Sequence, residues 1–335
     1  MRAATFLTIC SLFFILPFYS CETDLNVNAD WKEISVVYGL LNADDSVHYI
    51  KVSKAFLNEN TSAIEVAGIQ DSLYHQDSLS VFLQEINDRG QISREIHLRR
   101  TYNENKESGI FSYPGQYLYR TPPGVVISTD HSYTLFVRNL TSGYETSATT
   151  PVVNPVTPIY PGNAQTQIQF WRYSDIRFSW IAGLDAKFYH VECDFFYEEF
   201  PKTDPSDVVQ KTMVWRLGQY LLSNPAIKEE MTLQINGEIF YRTIVSNIPV
   251  NADLQRRVTG IQFRFASGAT EAYYYITLNE PSAGVVQRKP EYTNMSNGFG
   301  VFSSRHFATA PASLGNESID SLILGSHTRD LNFIR

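Results

Sequence analysis

The residue types that most often do chemistry are all present in this chain, but they are not spaced to do it together. The seven histidines stand at 48, 75, 97, 131, 190, 306 and 327, scattered along 335 residues. The chain contains no His-Glu-x-x-His zinc motif, Gly-x-Ser-x-Gly elbow, phosphate loop, dinucleotide fingerprint or Cys-x-x-Cys pair. His190-Val191-Glu192 would put an imidazole and a carboxylate on one face of a strand, half of a metal or acid–base site, yet strand surfaces produce that pattern by chance. Glu198-Glu199 is adjacent, so on a strand its two carboxylates face opposite ways and read as a solvated strand end. Asn42-Ala43-Asp44-Asp45-Ser46 reads as a turn whose side chains bond nearby backbone, with a metal loop as the lesser reading. No cofactor, metal site or catalytic residue is expected. Carboxylates dispersed over the fold, as in sugar hydrolysis, remain an alternative.

Cys21 is the residue with the clearest expected chemistry. Arg2, an apolar stretch from Phe6 to Phe18, and Ser20 precede it in the order of a secretory signal peptide. A Cys directly after the small residue resembles the lipidation site of a bacterial lipoprotein, whose mature chain starts as a membrane tether. A conventional signal cleaved near Ser20 and an uncleaved anchor are the alternatives. The apolar stretch contains Pro17 and is shorter than the ~20 residues a spanning helix needs, so the uncleaved anchor is the weakest of the three.

Removing residues 1–20 takes away one basic residue, Arg2, and no acidic one, which moves the formal charge from −8 to −9. That acidity argues against nucleic acid as a partner, since phosphate-backbone affinity comes from clustered Lys and Arg. With Cys21 lipidated and Cys10 removed, only Cys193 is left. No internal disulfide is then possible, and Val191 and Phe195 at alternate positions mark Cys193 as a buried thiol. The 20 Tyr and 21 Phe suit strands, and Tyr also suits surfaces that bind sugars or peptides.

Period-2 alternation recurs through the mature chain: Ile50 and Val52; Ile96 and Leu98; Tyr133, Leu135 and Val137; Ile176, Phe178 and Trp180; Ile261, Phe263 and Phe265. Asp88-Arg89-Gly90 is expected to close a hairpin, and Asn236-Gly237 another, with strands on both sides. Four prolines between Pro151 and Pro161 predict a stiff connector. The fold expected is all-β: two β-sandwich-like domains in tandem after a lipoprotein signal peptide. The divisions are a signal at 1–20, a first domain at 21–150, the connector at 151–161, and a second domain at 162–335 with an insertion and a C-terminal extension. Ile176 to Trp180 followed by Phe188 to Glu192 resembles the second and third strands of a fibronectin type III or immunoglobulin-like sandwich, with Trp180 in its core. The stretch Pro205 to Leu222 reads as an insertion with a short helix.

Late in the chain, Gly298 and Gly300 frame Phe299 in a tight turn or bulge, and this is the candidate partner-binding loop. That ending, Cys21, Val36 to Asn42, and His48 to Val52 together resemble an uncharacterised family of Bacteroidota outer-membrane lipoproteins. The resemblance implies a lipid-anchored cell-envelope protein at the outer membrane, working beside a TonB-dependent transporter or another envelope protein, with no activity or site residue to carry across. A structural or adhesive surface protein is the third reading. The Asn-x-Ser/Thr sites at Asn60, Asn139, Asn294 and Asn316 are of the number a Ser- and Asn-rich chain produces by chance.

Overall fold

The computed structural model describes residues 33–55, 68–75, 77–104, 115–279 and 291–335; Cys21, Cys10 and the signal-like segment lie outside them. Residues 34–335 cluster as one unit. No helix among the described residues is long and apolar enough to cross a membrane.

The protein is all-β in character. One ten-stranded sheet runs through it along the path β13 (Val209–Leu221), β12 (Phe188–Pro201), β15 (Leu254–Gly268), β16 (Phe299–Leu314), β1 (Ser35–Leu41), β2 (Tyr49–Lys54), β6 (Gln116–Arg120) and β5 (Arg99–Asn103). Short β10 (Gln167–Ile168) joins β16, and β17 (Phe333–Ile334) joins β15. A four-stranded sheet, β4 (Ile92–His97), β3 (Leu79–Ile86), β7 (Ser132–Asn139) and β8 (Glu145–Pro151), contributes to one core. A three-stranded sheet, β14 (Glu230–Asn236), β11 (Asp175–Ile181) and β9 (Thr157–Tyr160), contributes to a second.

The first core gathers Val37, Ile50 and Val52 from the long sheet with Val81, Leu83, Leu135 and Val137. The second gathers Val191, Cys193, Phe195, Phe263 and Phe265 with Phe178, Trp180, Leu233 and Ile235. The alternating apolar residues supply these inward faces, because successive strand side chains point to opposite sides. The chain passes from one core to the other between Val152 and Val153, both fully buried. Within the proline-rich stretch, Pro151 still belongs to β8, and β9 begins at Thr157.

Strand β16 ties the two cores together. Its start pairs in parallel with β1, Val36 opposite Phe299 and Tyr38 opposite Val301, and its later part pairs antiparallel with β15. Phe302 accordingly belongs to the first core, and Ala310 and Ala312 to the second.

Two expectations are corrected. Asn236-Gly237 does not turn a hairpin: Asn236 caps helix α2 (Gly237–Asn247), its side-chain oxygen accepting from the Glu238 amide at 3.1 Å. The glycine is required there because a Cβ would lie 2.3 Å from the Trp171 carbonyl oxygen. Phe240, Tyr241 and Ile244 then fall on one buried helical face. The second correction concerns residues 205–222. They hold no helix; Val209 to Leu221 form edge strand β13, hydrogen-bonded along β12. The Asp88-Arg89-Gly90 turn does join β3 to β4, with Gly90 at φ +74°. After this turn the chain runs through β4 and, past Leu98, into β5, which belongs to a different sheet.

Candidate functional site

Strand β1 points Ser35, Val37, Gly39 and Leu41 inward and leaves Val36, Tyr38 and Leu40 on the opposite face of the long sheet. Its antiparallel partner β2 sets Lys51 opposite Tyr38, so Tyr49, Lys51 and Ser53 share that outer face. On the other side β16 sets Phe299, 43% exposed, opposite Val36. Segments 36–41, 50–54 and 299–304, far apart in sequence, are thus neighbours in one sheet.

Helix α3 (Thr270–Asn279) packs on β16 and brings Tyr275 to this face. Tyr275 meets Tyr38 edge-to-face with ring centroids 5.8 Å apart, and its hydroxyl donates to the Tyr38 hydroxyl at 3.2 Å. Of its two neighbours on the helix, Tyr273 packs with its ring 6.2 Å from that of Phe188, and Tyr274 stands 5.6 Å from Tyr292, which borders this face. Burial, then the Tyr275 hydrogen bond and its charge, push the Tyr38 hydroxyl up to about 12, and Tyr292 is also raised, chiefly by burial. Both are neutral phenols at pH 7, able to donate and accept hydrogen bonds.

Three hollows converge on Tyr38. One of about 430 Å³ is bordered by Tyr275, Tyr292, Glu291, Asn279 and Phe299. A second, about 440 Å³, lies between Val36, Tyr38, Lys51 and the end of α1 (Gln70–Leu73), where Leu73 and Tyr74 line it. The third, about 270 Å³, is lined by Leu40, Asp45, Tyr49 and Arg305. Such concave, largely apolar surfaces with a few placed polar groups are the usual form of ligand sites.

The glycines flanking Phe299 serve the strand pairing. Gly300 has φ +106°, and a Cβ on it would lie 1.9 Å from the Val37 carbonyl oxygen; one on Gly298 would lie 2.7 Å from that of Ser35. The Asn294 side chain clamps the same segment, donating to the Phe302 carbonyl at 2.6 Å and accepting from its amide at 3.0 Å. The Asn294 amide is therefore committed inside the fold, which leaves no role for it as a glycan acceptor. Phe299 itself is carried outward onto the aromatic face.

Of the remaining sequence candidates, Asp45 borders the third hollow, and the others are engaged in local pairs. His190 and Glu192 border a shallow hollow with Arg216 and Gln219, but the Glu192 carboxylate is paired with Arg264 at 2.8 Å and Arg216 at 3.5 Å. Glu199 pairs with fully buried Arg256 at 2.8 Å, and Glu198 with Arg257 at 3.5 Å. In the 42–46 turn, Asn42 donates to Asp45 at 3.0 Å, and Asp44 meets His306 at 3.0 Å. Among the described residues no group of three or more His, Cys, Asp or Glu side chains could hold a metal ion. Cys193 is fully buried and its thiol is pushed up by that burial.

A buried polar cluster that the sequence did not reveal joins β3, β4 and β7. Glu85 accepts from Tyr133 at 2.8 Å, lies 2.7 Å from His131 Nδ1, and pairs with Arg94. Burial pushes the Glu85 carboxyl up, but the bonds from His131, Tyr133 and Arg94 together outweigh it and hold the group below the usual carboxylate range. Both carboxylate oxygens are occupied, so the cluster knits the small sheet together.

No protein-family model and no curated protein matches the chain. Weak likenesses to solved structures exist. The C-terminal globular domain of an oligosaccharyltransferase from Pyrococcus abyssi aligns at 11% identity, over 68% of this chain and 45% of that one, with a TM-score of 0.21. An Escherichia coli α-2-macroglobulin activated by porcine elastase aligns at 8% identity over 85% and 20%, TM-score 0.18. The N-terminal four immunoglobulin domains of Dscam1 isoform 4.44 align at 11% identity over 85% and 53%, TM-score 0.16. The chain spans about half or less of each of these chains, and at these scores none carries an argument about function.

Proposed function

We propose that this protein is a lipid-anchored binding protein of the cell envelope, tethered through Cys21, that holds its ligand across the aromatic outer face centred on Tyr38. The observation that carries the binding role is the convergence of three hollows on one exposed tyrosine, bordered by Phe299, Tyr49, Tyr275 and Tyr292. Exposed apolar surface of this kind is kept where it meets a partner or ligand. Among the described lining residues the three hollows offer Glu291 in one, Asp45 in another and no carboxylate in the third. Glycoside hydrolysis needs two carboxyls about 5–10 Å apart across one bond, so binding is favoured over hydrolysis. The signal-like order ending at Cys21 supports the tether, and the resemblance to outer-membrane lipoproteins supports an outer-membrane location with a transporter or other envelope protein as partner.

The test uses the purified mature protein and its Tyr38→Ala and Phe299→Ala variants on immobilised panels of envelope glycans and peptides. The variants are expected to keep the wild-type melting temperature within a few degrees and to lose retention on whatever ligand the wild type holds. Retention undiminished in both variants refutes this face as the site. In cells, Cys21→Ala is expected to leave the membrane fraction; a variant that stays membrane-bound and normally processed refutes the tether.

A further inference from the structure

We propose that the 270 Å³ hollow between Leu40, Tyr49, Asp45 and Arg305 is a subsite for a carboxylate-bearing sugar ring, a hexuronic acid residue, within the ligand bound at the Tyr38 face. The inference rests on that binding role and names the ligand class. It begins with an arginine that has no partner. Strands β15 and β16 carry four arginines. Arg256 pairs with Glu199, Arg257 with Glu198, and Arg264 with Asp194 and Glu192. Among the described residues the Arg305 guanidinium has no ion pair and no hydrogen bond. Its Nε is shut off from solvent without a hydrogen-bond partner, and its guanidinium carbon lies 4.9 Å from the centroid of the Phe307 ring. Arg305 is half-buried, whereas the three other arginines of these two strands are all paired with carboxylates.

A planar guanidinium offers a fork of donors matched to a carboxylate, and such charged hydrogen bonds are about twice as strong as neutral ones. A carboxylate arriving with the ligand would satisfy donors that the fold leaves open. The other groups of the hollow fix what else that ligand carries. Tyr49 presents a ring 48% exposed, a platform for the flat C–H face of a pyranose. Asp45 has one oxygen held by the Asn42 amide at 3.0 Å and a second free to accept from a hydroxyl. An apolar ring face, several hydroxyls and one carboxylate on a body of single-ring size describe a hexuronic acid. A peptide C-terminus brings the carboxylate without the hydroxyls or the flat saturated face.

The experiment is calorimetric titration of the intact lipoprotein in detergent with trigalacturonic acid, its methyl ester, and a tripeptide with a free C-terminus. The acid is expected to bind about tenfold tighter than the ester, the worth of about one charge-assisted hydrogen bond. Arg305→Gln should abolish that difference while leaving the melting temperature unchanged, Arg305→Lys should keep part of it, and Tyr49→Ala should weaken acid and ester alike. Equal binding of acid and ester, no binding of the acid, a preference that survives Arg305→Gln, or Arg305-dependent binding of the tripeptide as tight as that of the acid overturns the proposal. The broader reading is scored separately by Tyr38→Ala. Ligands that bind through Tyr38 without regard to Arg305 overturn the uronic-acid subsite and leave the aromatic face standing.

Discussion

Replacing Gly300 by alanine probes the junction on which both the fold and the candidate face depend. At this residue two penalties coincide. Its φ of +106° is a backbone conformation that side-chain-bearing residues adopt at a cost of about 1–3 kcal/mol. The added Cβ would also stand 1.9 Å from the Val37 carbonyl oxygen, where ordinary contact begins at 3.4 Å, so β16 would have to withdraw from β1 by about 1.5 Å. A shift of that size breaks the nearest ladder hydrogen bonds, and two of them at about 0.5–1.5 kcal/mol each add about 1–3 kcal/mol. Together the loss is about 2–6 kcal/mol, a large part of the 5–15 kcal/mol by which such proteins are stable. Gly90→Ala is the matched control, because Gly90 has φ +74° but nothing within 4 Å of its Cβ position. It should show the backbone strain alone. Urea unfolding followed by tyrosine and tryptophan fluorescence gives both stabilities. If Gly300→Ala costs no more than Gly90→Ala, the close parallel approach of β1 and β16 is not as described.

Trp180→Ala should cost about 3–5 kcal/mol by urea unfolding, since the indole is fully buried among Tyr189, Tyr220 and Phe265 and leaves a cavity that their rings cannot fill. Trp180→Phe should cost far less, because the indole nitrogen has no hydrogen-bond partner to lose. Stability should also fall under alkaline conditions. Burial raises the hydroxyls of Tyr38, Tyr133 and Tyr189 from 10.0 to about 12. A folded-state value above the unfolded one contributes stability that is complete below pH 10 and is lost as pH rises through 12. The urea midpoint should therefore be level up to about pH 9.5 and decline from pH 10 to 12, and Tyr189→Phe should blunt the decline; a midpoint unchanged to pH 12 contradicts the burial of these hydroxyls.

Strand identity was legible wherever one face is buried and the other wet, as at Tyr133 to Val137 or Ile261 to Phe265, because period-2 patterning states that environment directly. It failed where a local signal has two uses. Asn-Gly suits a tight turn, but Asn also caps helices, and only the Trp171 backbone packed against Gly237 decides between them. Strand β13 was not legible because edge position leaves most of its residues exposed on both sides, and a bulge at Leu217, beside Gly218 at φ +122°, shifts its register with β12. For the candidate site, the sequence singles out Phe299 by its two flanking glycines. Its companions were not legible: Tyr38 and Tyr275 are hydrogen-bonded across 237 positions, a proximity created by strand order rather than by local pattern. The run Tyr273-Tyr274-Tyr275 was the one local clue, since consecutive bulky aromatics fit neither a single buried strand face nor a turn.

The central claim, that ligand is held at the Tyr38 face, is tested most directly by photo-crosslinking in living cells. A benzophenone side chain placed at Tyr38 keeps an aromatic ring in the position where three hollows meet. The same group at Tyr173, which is 87% exposed and belongs to the loop before β11, reports random encounter. The account predicts a discrete adduct from position 38, diminished by Phe299→Ala, with none from position 173. Equal labelling at the two positions, or none at position 38 in membranes that contain the protein, would contradict it.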